Sequence, residues 1–300
     1  MDIALALGGG GSRGYTHIGV IRCLEQEGFR IRAVAGTSAG GIVAALYAAG
    51  YSPAWMEKTF SELDQANLFG RIPRDAPALL GLGGAEKILR EYLGDRTFSE
   101  LKIPCAVTAV DVNAAREIIL REGRVLDAVL ATIAVPAVFP PKQLGGMSLV
   151  DGAVLDPVPV SVVRALAPKL PIVAVALSPK MGEKGKPMTL SFPTPIPTQI
   201  VERLSRLRLA QALKIYVQAQ DASSRMLTDL RLEFDDPDVV IRPDVDGIGL
   251  LDVVDVHKLV RQGEKAADAV LPQLRRAGAW PNRLRRLLFP HLLLIKRRHK

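Results

Sequence analysis

Cysteine is scarce in this chain, with only Cys23 and Cys105 among 300 residues. Each lies in an apolar run and reads as a small buried hydrophobe, which excludes a disulfide framework. Histidine occurs four times, and no Cys/His cluster has metal-ligand spacing. No metal and no cofactor is therefore expected. Aromatic residues make up 5% of the chain, so the core must be built mainly from Ala, Leu, Val and Ile. That scarcity also removes the stacking platforms that single-stranded nucleic acid needs, and no nucleic-acid partner is expected. A clean apolar run of membrane-spanning length is missing as well. Ala33 to Met56 carries no charge, but Gly36, Gly40, Gly41, Gly50 and Pro53 divide it into a strand, a turn and a buried helix. No cationic leader followed by an apolar stretch opens the chain, which predicts a cytoplasmic location. Acidic residues stop at Asp268. Beyond it stand nine of the 39 basic residues, which leaves 30 basic against 31 acidic in the rest. The net charge of +8 thus belongs to the end of the chain, and the body is electrically balanced.

Short apolar runs alternate with helical periodicity along the body. Strands are expected near 3–7, 31–35, 104–110, 146–150, 171–177 and 238–242. Helices are expected near 15–28, 39–50, 53–66, 84–94, 124–133, 158–167, 200–230 and 256–276. This alternation predicts an α/β fold of three layers, a mainly parallel central sheet with helices on both faces. The body is expected over 1–280, followed by a basic, leucine-rich tail over 281–300. In such a sheet, functional groups gather at the carboxyl ends of strands, where Gly8, Ser38 and Asp151 all fall.

Three motifs carry chemistry. Gly36-Thr37-Ser38-Ala39-Gly40 reads as a strand running into a G-x-S-x-G turn and an Ala-rich helix, a geometry that lifts one serine hydroxyl out of the backbone. Earlier, Gly8 to Gly14 separates an apolar strand from a helix N-terminus, so its unpaired N–H groups can face an anion. That anion is either a pyrophosphate or the oxyanion of an acyl-transfer intermediate. Gly9-x-Gly11-x-x-Gly14 formally matches the dinucleotide fingerprint, but no carboxylate ends the second strand to hold a ribose, which weighs against a nucleotide. The third motif, Asp151-Gly152-Ala153, ends an apolar strand. Near Ser38, Asp151 could accept the serine proton, provided that a dry pocket raises its basicity and the loop stabilises the oxyanion.

Together and in this order, these motifs resemble the patatin-like phospholipases. Gly9-Gly10-Gly11-Ser12-Arg13-Gly14 is similar to the family's glycine-rich oxyanion loop, Gly36 to Gly40 to its nucleophile elbow, and Asp151-Gly152-Ala153 to its D-G-[AG] element. Ile133 to Pro141 and Ile241 to Val245 are similar to its flanking segments. The resemblance covers about residues 1 to 275. It implies a patatin-like fold and a serine acyl hydrolase acting on lipid or lysophospholipid esters, with Ser38 as nucleophile, Asp151 as general base and no histidine or metal. It also implies that the N–H groups of Gly10, Gly11 and their neighbours in 9–14 form the oxyanion hole. Arg13 would stabilise the loop or add positive potential. An acyltransferase would use the same residues, with an alcohol in place of water.

His17, His257, His291 and His299 are the alternatives for a base. His257 alone follows Asp151 within the structured body, and a Ser38–Asp151–His257 triad is the competing arrangement. Two segments, Ala78 to Gly83 and Pro187 to Pro197, are candidate lids or ordinary packed loops. The tail mixes arginines with leucines, which suits an anionic membrane surface at the inner leaflet; packing on the body is the other reading. Removing residues 282–300 is expected to weaken binding to anionic vesicles while sparing cleavage of a soluble ester. Vesicle sedimentation and ester turnover, run on both chains, check this.

Overall fold

The computed structural model describes residues 1–65, 68, 69, 78, 80–180, 182 and 208–277. The basic tail, the Pro187 to Pro197 segment and the first part of the helix expected from 200 lie outside these residues. Strands and helices follow the anticipated alternation: β1 (Asp2–Leu7), α1 (Thr16–Gln26), β2 (Arg30–Gly36), α2 (Ala39–Ala49), α3 (Pro53–Glu62), α4 (Gly83–Leu93) and β3 (Cys105–Asp111). Next come β4 (Arg116–Leu120), α5 (Val125–Thr132), β5 (Lys142–Leu144), β6 (Met147–Asp151), α6 (Val160–Leu166) and β7 (Ile172–Val175). The last elements are α7 (Arg208–Asp235), β8 (Val239–Ile241) and α8 (Val256–Ala277).

The sheet runs β5-β6-β3-β2-β1-β7-β8, with β4 also on β3. It is parallel from β3 through β2, β1 and β7 to β8. At the other end β4, β5 and β6 pair antiparallel, so the sheet is mixed. The expected strands omitted β4 and β5, which are short hairpin partners. Gly145 and Gly146, both at positive φ, form the two-residue turn between β5 and β6, a conformation that glycine adopts without strain.

The register on β3 places Asp151 at the carboxyl end of its strand, as expected, and makes that strand an antiparallel one. β4 covers one edge of β3, from Val107 to Asp111. On the other edge β2 comes up beside Cys105–Val107, while β6 comes down antiparallel beside Ala109–Asp111. The carboxyl ends of β2 and β6 therefore meet head to head opposite Thr108.

Alternation along β1 builds both layers. Ile3, Leu5 and Leu7 are fully buried against α1, α2, α5 and α8. Ala4 and Ala6, with Ala33, Ala35 and Ala106, meet Val160, Val162 and Val163 of α6 and Leu232 of α7 on the opposite face. The small side chains of that second face let α6 lie close to the sheet. Leu80 and Leu82, in one candidate lid, are buried in the first layer, and the Leu80 N–H donates to the Val138 carbonyl (2.9 Å). Residues 80–82 are therefore packed into the body.

α1 and α8 cross in backbone contact. A Cβ on Gly19 would come 1.8 Å from the Val260 oxygen, and one on Gly263 would come 1.9 Å from the Thr16 oxygen. Alanine at a helical glycine ordinarily gains about 1 kcal/mol. Here the overlap forces the helices apart, at about 1–3 kcal/mol or more. Gly263→Ala is therefore expected to destabilise the protein, read as a lower midpoint in denaturant unfolding.

Candidate active site

The head-to-head strand ends deliver two side chains to one point. Ser38 follows β2 and leads directly into α2, and its backbone is at φ 54°, ψ −124°. A residue with a Cβ rarely adopts this left-handed region, and the strain is held by its surroundings. Gly36 and Gly40 permit the sharp corner: a Cβ on Gly36 would stand 2.3 Å from the Gly40 oxygen, and one on Gly40 2.1 Å from the Leu7 oxygen. The Ser38 N–H donates to Thr132 Oγ1 of α5 (2.8 Å). Ser38 Oγ donates to Asp151 Oδ2 at 2.5 Å, across 113 positions of chain.

Asp151 is 3% exposed. Its N–H donates to the Ala134 carbonyl (2.9 Å), and its Oδ1 accepts the Ala153 N–H (2.8 Å). Burial pushes its carboxyl up to about 6, opposed by the hydrogen bonds from Ser38 and Ala153. A carboxylate of that kind is a stronger base than one in water and is still mostly ionised at neutral pH. Gly152 is obligatory because a Cβ there would lie 2.2 Å from Thr108 Oγ1.

A hydroxyl chain supports the pair from beneath. Thr37 Oγ1 donates to the Asp156 carbonyl (2.9 Å) and so accepts its contact with Thr108 Oγ1 (2.7 Å) from the latter's hydrogen. The Asp156 carboxyl is fully buried, and burial together with neighbouring Glu117 pushes its pKa up.

The glycine loop crosses directly over Ser38; a Cβ on Gly9 would sit 3.2 Å from the serine Cβ. It is pinned on all sides. The amides of Gly8, Gly9 and Ser12 donate to the carbonyls of Val175, Pro157 and Leu250, and that of Arg13 to Gly10. Among the described residues, the amides of Gly10 and Gly11 have no acceptor. Of the six candidate positions, 9 to 14, the amides of Gly9, Ser12 and Arg13 are thus occupied by protein carbonyls.

Arg13 is 4% exposed, so it is no surface charge. Its Nε donates to the Ile248 carbonyl (2.9 Å) and its Nη1 to that of Leu177 (3.2 Å), which ties the loop to two distant segments. Burial pulls its pKa down, opposed mainly by the charge of Asp221. His17 is fully buried, and burial lowers it to about 4. It is neutral, and its Nε2–H donates to the Gly8 carbonyl (2.8 Å). His257 instead pairs through Nδ1 with Glu57 Oε1 (2.7 Å) on α3. His291 and His299 lie outside the described residues. Among the described residues no group of three His, Cys, Asp or Glu side chains could hold a metal ion, and no helix is long and apolar enough to cross a membrane.

Among the described residues two cavities meet at Ser38, with Val135 and Leu250 in the walls of both. One, of about 150 Å³, runs between α2, α3 and α4 and is lined by Ile42, Phe60, Leu82, Ile88, Leu89 and Phe139. The other, of about 180 Å³, lies under α7 and joins Asp151, Arg13, Gln220 and Ser224 to apolar wall from Val158, Leu177 and Leu227. Gly11 faces the first and Gly10 the second.

Sequence reasoning missed Thr108, Thr132 and the part played by α7. Thr108 and Thr132 carried a weak signal, as polar residues in otherwise apolar stretches of β3 and the end of α5. Nothing local marked the polar face of α7 as a cavity wall.

The model of the patatin-like phospholipase family matches residues 5–164. An uncharacterised NTE family protein of Mycobacterium tuberculosis is 36% identical over 179 residues, 59% of this chain and 49% of the relative. Lysophospholipase NTE1 of Yarrowia lipolytica is 26% identical over 317 residues, 99% of this chain and 21% of the relative. The chain spans about half the length of the mycobacterial relatives it matches, or less. Among solved structures, VipD from Legionella pneumophila shares the fold, with a TM-score of 0.50 at 13% identity, covering 90% of this chain and 66% of VipD.

Asp151, raised to about 6, favours the protonated form in the folded protein, whereas the unfolded chain titrates it near 3.8. Its contribution to stability is full below 3.8 and is lost as pH rises through about 6. Asp151→Asn removes this titration. The variant is expected to gain stability over wild type at pH 8 relative to pH 4, measured by thermal unfolding across that range.

Proposed function

Because the chain belongs to the patatin-like phospholipase family, we propose that it cleaves carboxylic esters of lipids through an acyl–Ser38 intermediate, with Asp151 as the general base. The observation that carries this reading is the 2.5 Å hydrogen bond from Ser38 Oγ to a buried carboxylate. As Oγ attacks the ester carbonyl, its proton passes to Asp151. The carbonyl oxygen becomes an anion, and the amides of Gly10 and Gly11 stabilise it. A serine hydroxyl is far less acidic than a carboxylic acid, so Asp151 alone moves the proton uphill. Preorganised donors at the oxyanion must supply the rest, and such donors are worth about 3–4 kcal/mol each in acyl transfer. Collapse then expels the alcohol, and water attacks the acyl-enzyme with Asp151 again as base.

Arg13 and His17 hold the loop and do not touch the reacting atoms. The role of His17 follows from its neutral state, with its Nε2–H committed to Gly8. His257, committed to Glu57, has no part in the proton transfer. The basic, leucine-rich tail would bring the enzyme to an anionic lipid surface, where its substrate resides.

Labelling with an active-site fluorophosphonate tests the reading. Wild type is expected to take the label, and Ser38→Ala to take none. Asp151→Asn should lose about 10²–10⁴-fold in ester turnover. His257→Ala should keep most of its turnover. A folded, labelled His257→Ala protein without turnover would restore the triad.

A further inference from the structure

Asp151 lies in the wall of the cavity under α7 and is absent from the wall of the apolar one. This asymmetry, which rests on the reading of Ser38 and Asp151 as the catalytic pair, divides the substrate. We propose that the cavity under α7 is the subsite for the alcohol half of the ester, and that Gln220, Ser223 and Ser224 select esters of polar, hydroxyl-bearing alcohols.

The argument begins with the proton. In the first half-reaction Asp151 takes the proton of Ser38 Oγ while the Oγ–carbon bond forms. When the tetrahedral intermediate collapses, the bond from carbon to the alcohol oxygen breaks. That oxygen leaves with the electron pair and must receive the proton from Asp151. The leaving oxygen therefore lies on the Asp151 side of the nucleophile, in the cavity under α7. In the second half-reaction water takes the vacated place. It gives its proton to Asp151 as it attacks, and Asp151 returns a proton to Ser38 Oγ. The acyl chain must then occupy the other side, where Ile42, Phe60, Leu82, Leu89 and Phe139 offer apolar contact.

Chemistry of the walls agrees with this division. A glycerol-type alcohol in the apolar cavity would lose its water against mostly hydrocarbon, with Ser12, Tyr15, Gln65 and Asp252 as the polar side chains of its lining besides Ser38. In the cavity under α7 the same hydroxyls meet the side chains of Gln220, Ser223 and Ser224. Asp221 and Thr228 stand in the same wall but have partners of their own: Asp221 pairs with Arg225 (2.7 Å), and the Thr228 hydroxyl donates to the Ser224 carbonyl (2.7 Å). The cavity under α7 is the more polar of the two, and Val138, Val158, Leu177 and Leu227 give it an apolar wall beside the polar one.

Two esters of the same acid separate the alternatives: monodecanoylglycerol and decyl decanoate, offered together in mixed micelles. Only the ratio of their kcat/KM values is read, so loss of folded material in a variant cancels. Wild type is expected to prefer the glycerol ester by about tenfold or more. The double variant Gln220→Leu, Ser224→Leu is expected to move that ratio toward the decyl ester by about tenfold. Ile88→Trp, in the apolar cavity, is expected to shorten the longest acyl chain cleaved. A labelled wild-type enzyme with no preference between the esters overturns the subsite and spares the catalytic pair, as does a double variant whose ratio stays put. An Ile88→Trp variant that changes the alcohol preference in place of acyl length reverses the division and also overturns it. A wild type that takes no fluorophosphonate and cleaves neither ester removes both readings.

Discussion

One edge of β3 serves two strands that run in opposite directions. β2 occupies it up to Val107 and β6 down to Ala109, so their carboxyl ends face each other across the single residue Thr108. Everything at the site follows from that abutment. The chain after β2 must turn out of the sheet at once, which produces the strained Ser38 corner. The chain after β6 must do the same, and Gly152 passes where any side chain would strike Thr108. Two side chains 113 positions apart are thereby brought to hydrogen-bonding distance. An arrangement built on strand ends keeps its geometry better than one on loops, because ladder hydrogen bonds fix both positions.

The second constraint is closeness. The glycine loop, the elbow and the carboxyl end of β1 share a volume that has no room for side chains on Gly36 or Gly40, and Leu250 leaves none on Gly11. Such packing brings the loop backbone close to Ser38, but only if the loop cannot relax into the space. Its rigidity comes from buried polar groups. Arg13 reaches the carbonyls of Leu177 and Ile248, and the His17 imidazole holds Gly8. Three amides of the loop anchor it to other segments and that of Arg13 closes on Gly10, while Gly10 and Gly11 are donors without an acceptor among the described residues. An unpaired amide is costly in a protein interior. At the junction of two cavities it is available to a ligand.

Burial sets the chemistry of Asp151. An exposed aspartate would be too weak a base, and one buried without partners would simply remain protonated. Two hydrogen bonds, from Ser38 Oγ and the Ala153 amide, hold it between these limits. The cavity walls then differ because they come from different layers. α2, α3 and α4 belong to the large apolar core, and their inner faces are hydrocarbon. α7 is a long helix at the other side of the sheet, and its polar face looks into the site.

The local motifs were legible in the amino-acid order because their physics is local. Glycines where a turn must pass close to a strand, a serine between small residues and an aspartate before Gly152 depend on sterics within a few residues. The αβ alternation and the electrical neutrality of the body were legible for the same reason. Other features depend on contacts between distant parts of the chain, and only the tertiary structure decided them. The antiparallel arrival of β6 is one, since strand direction is a matter of pairing and leaves no trace in a five-residue apolar run. The occupation of the Gly9 and Ser12 amides is another, because their acceptors come from positions as far away as 157 and 250. The burial of Arg13, the neutral His17 and the polar wall supplied by α7 are of the same kind. Each is set by what the folded chain brings alongside, a quantity that no window of sequence contains.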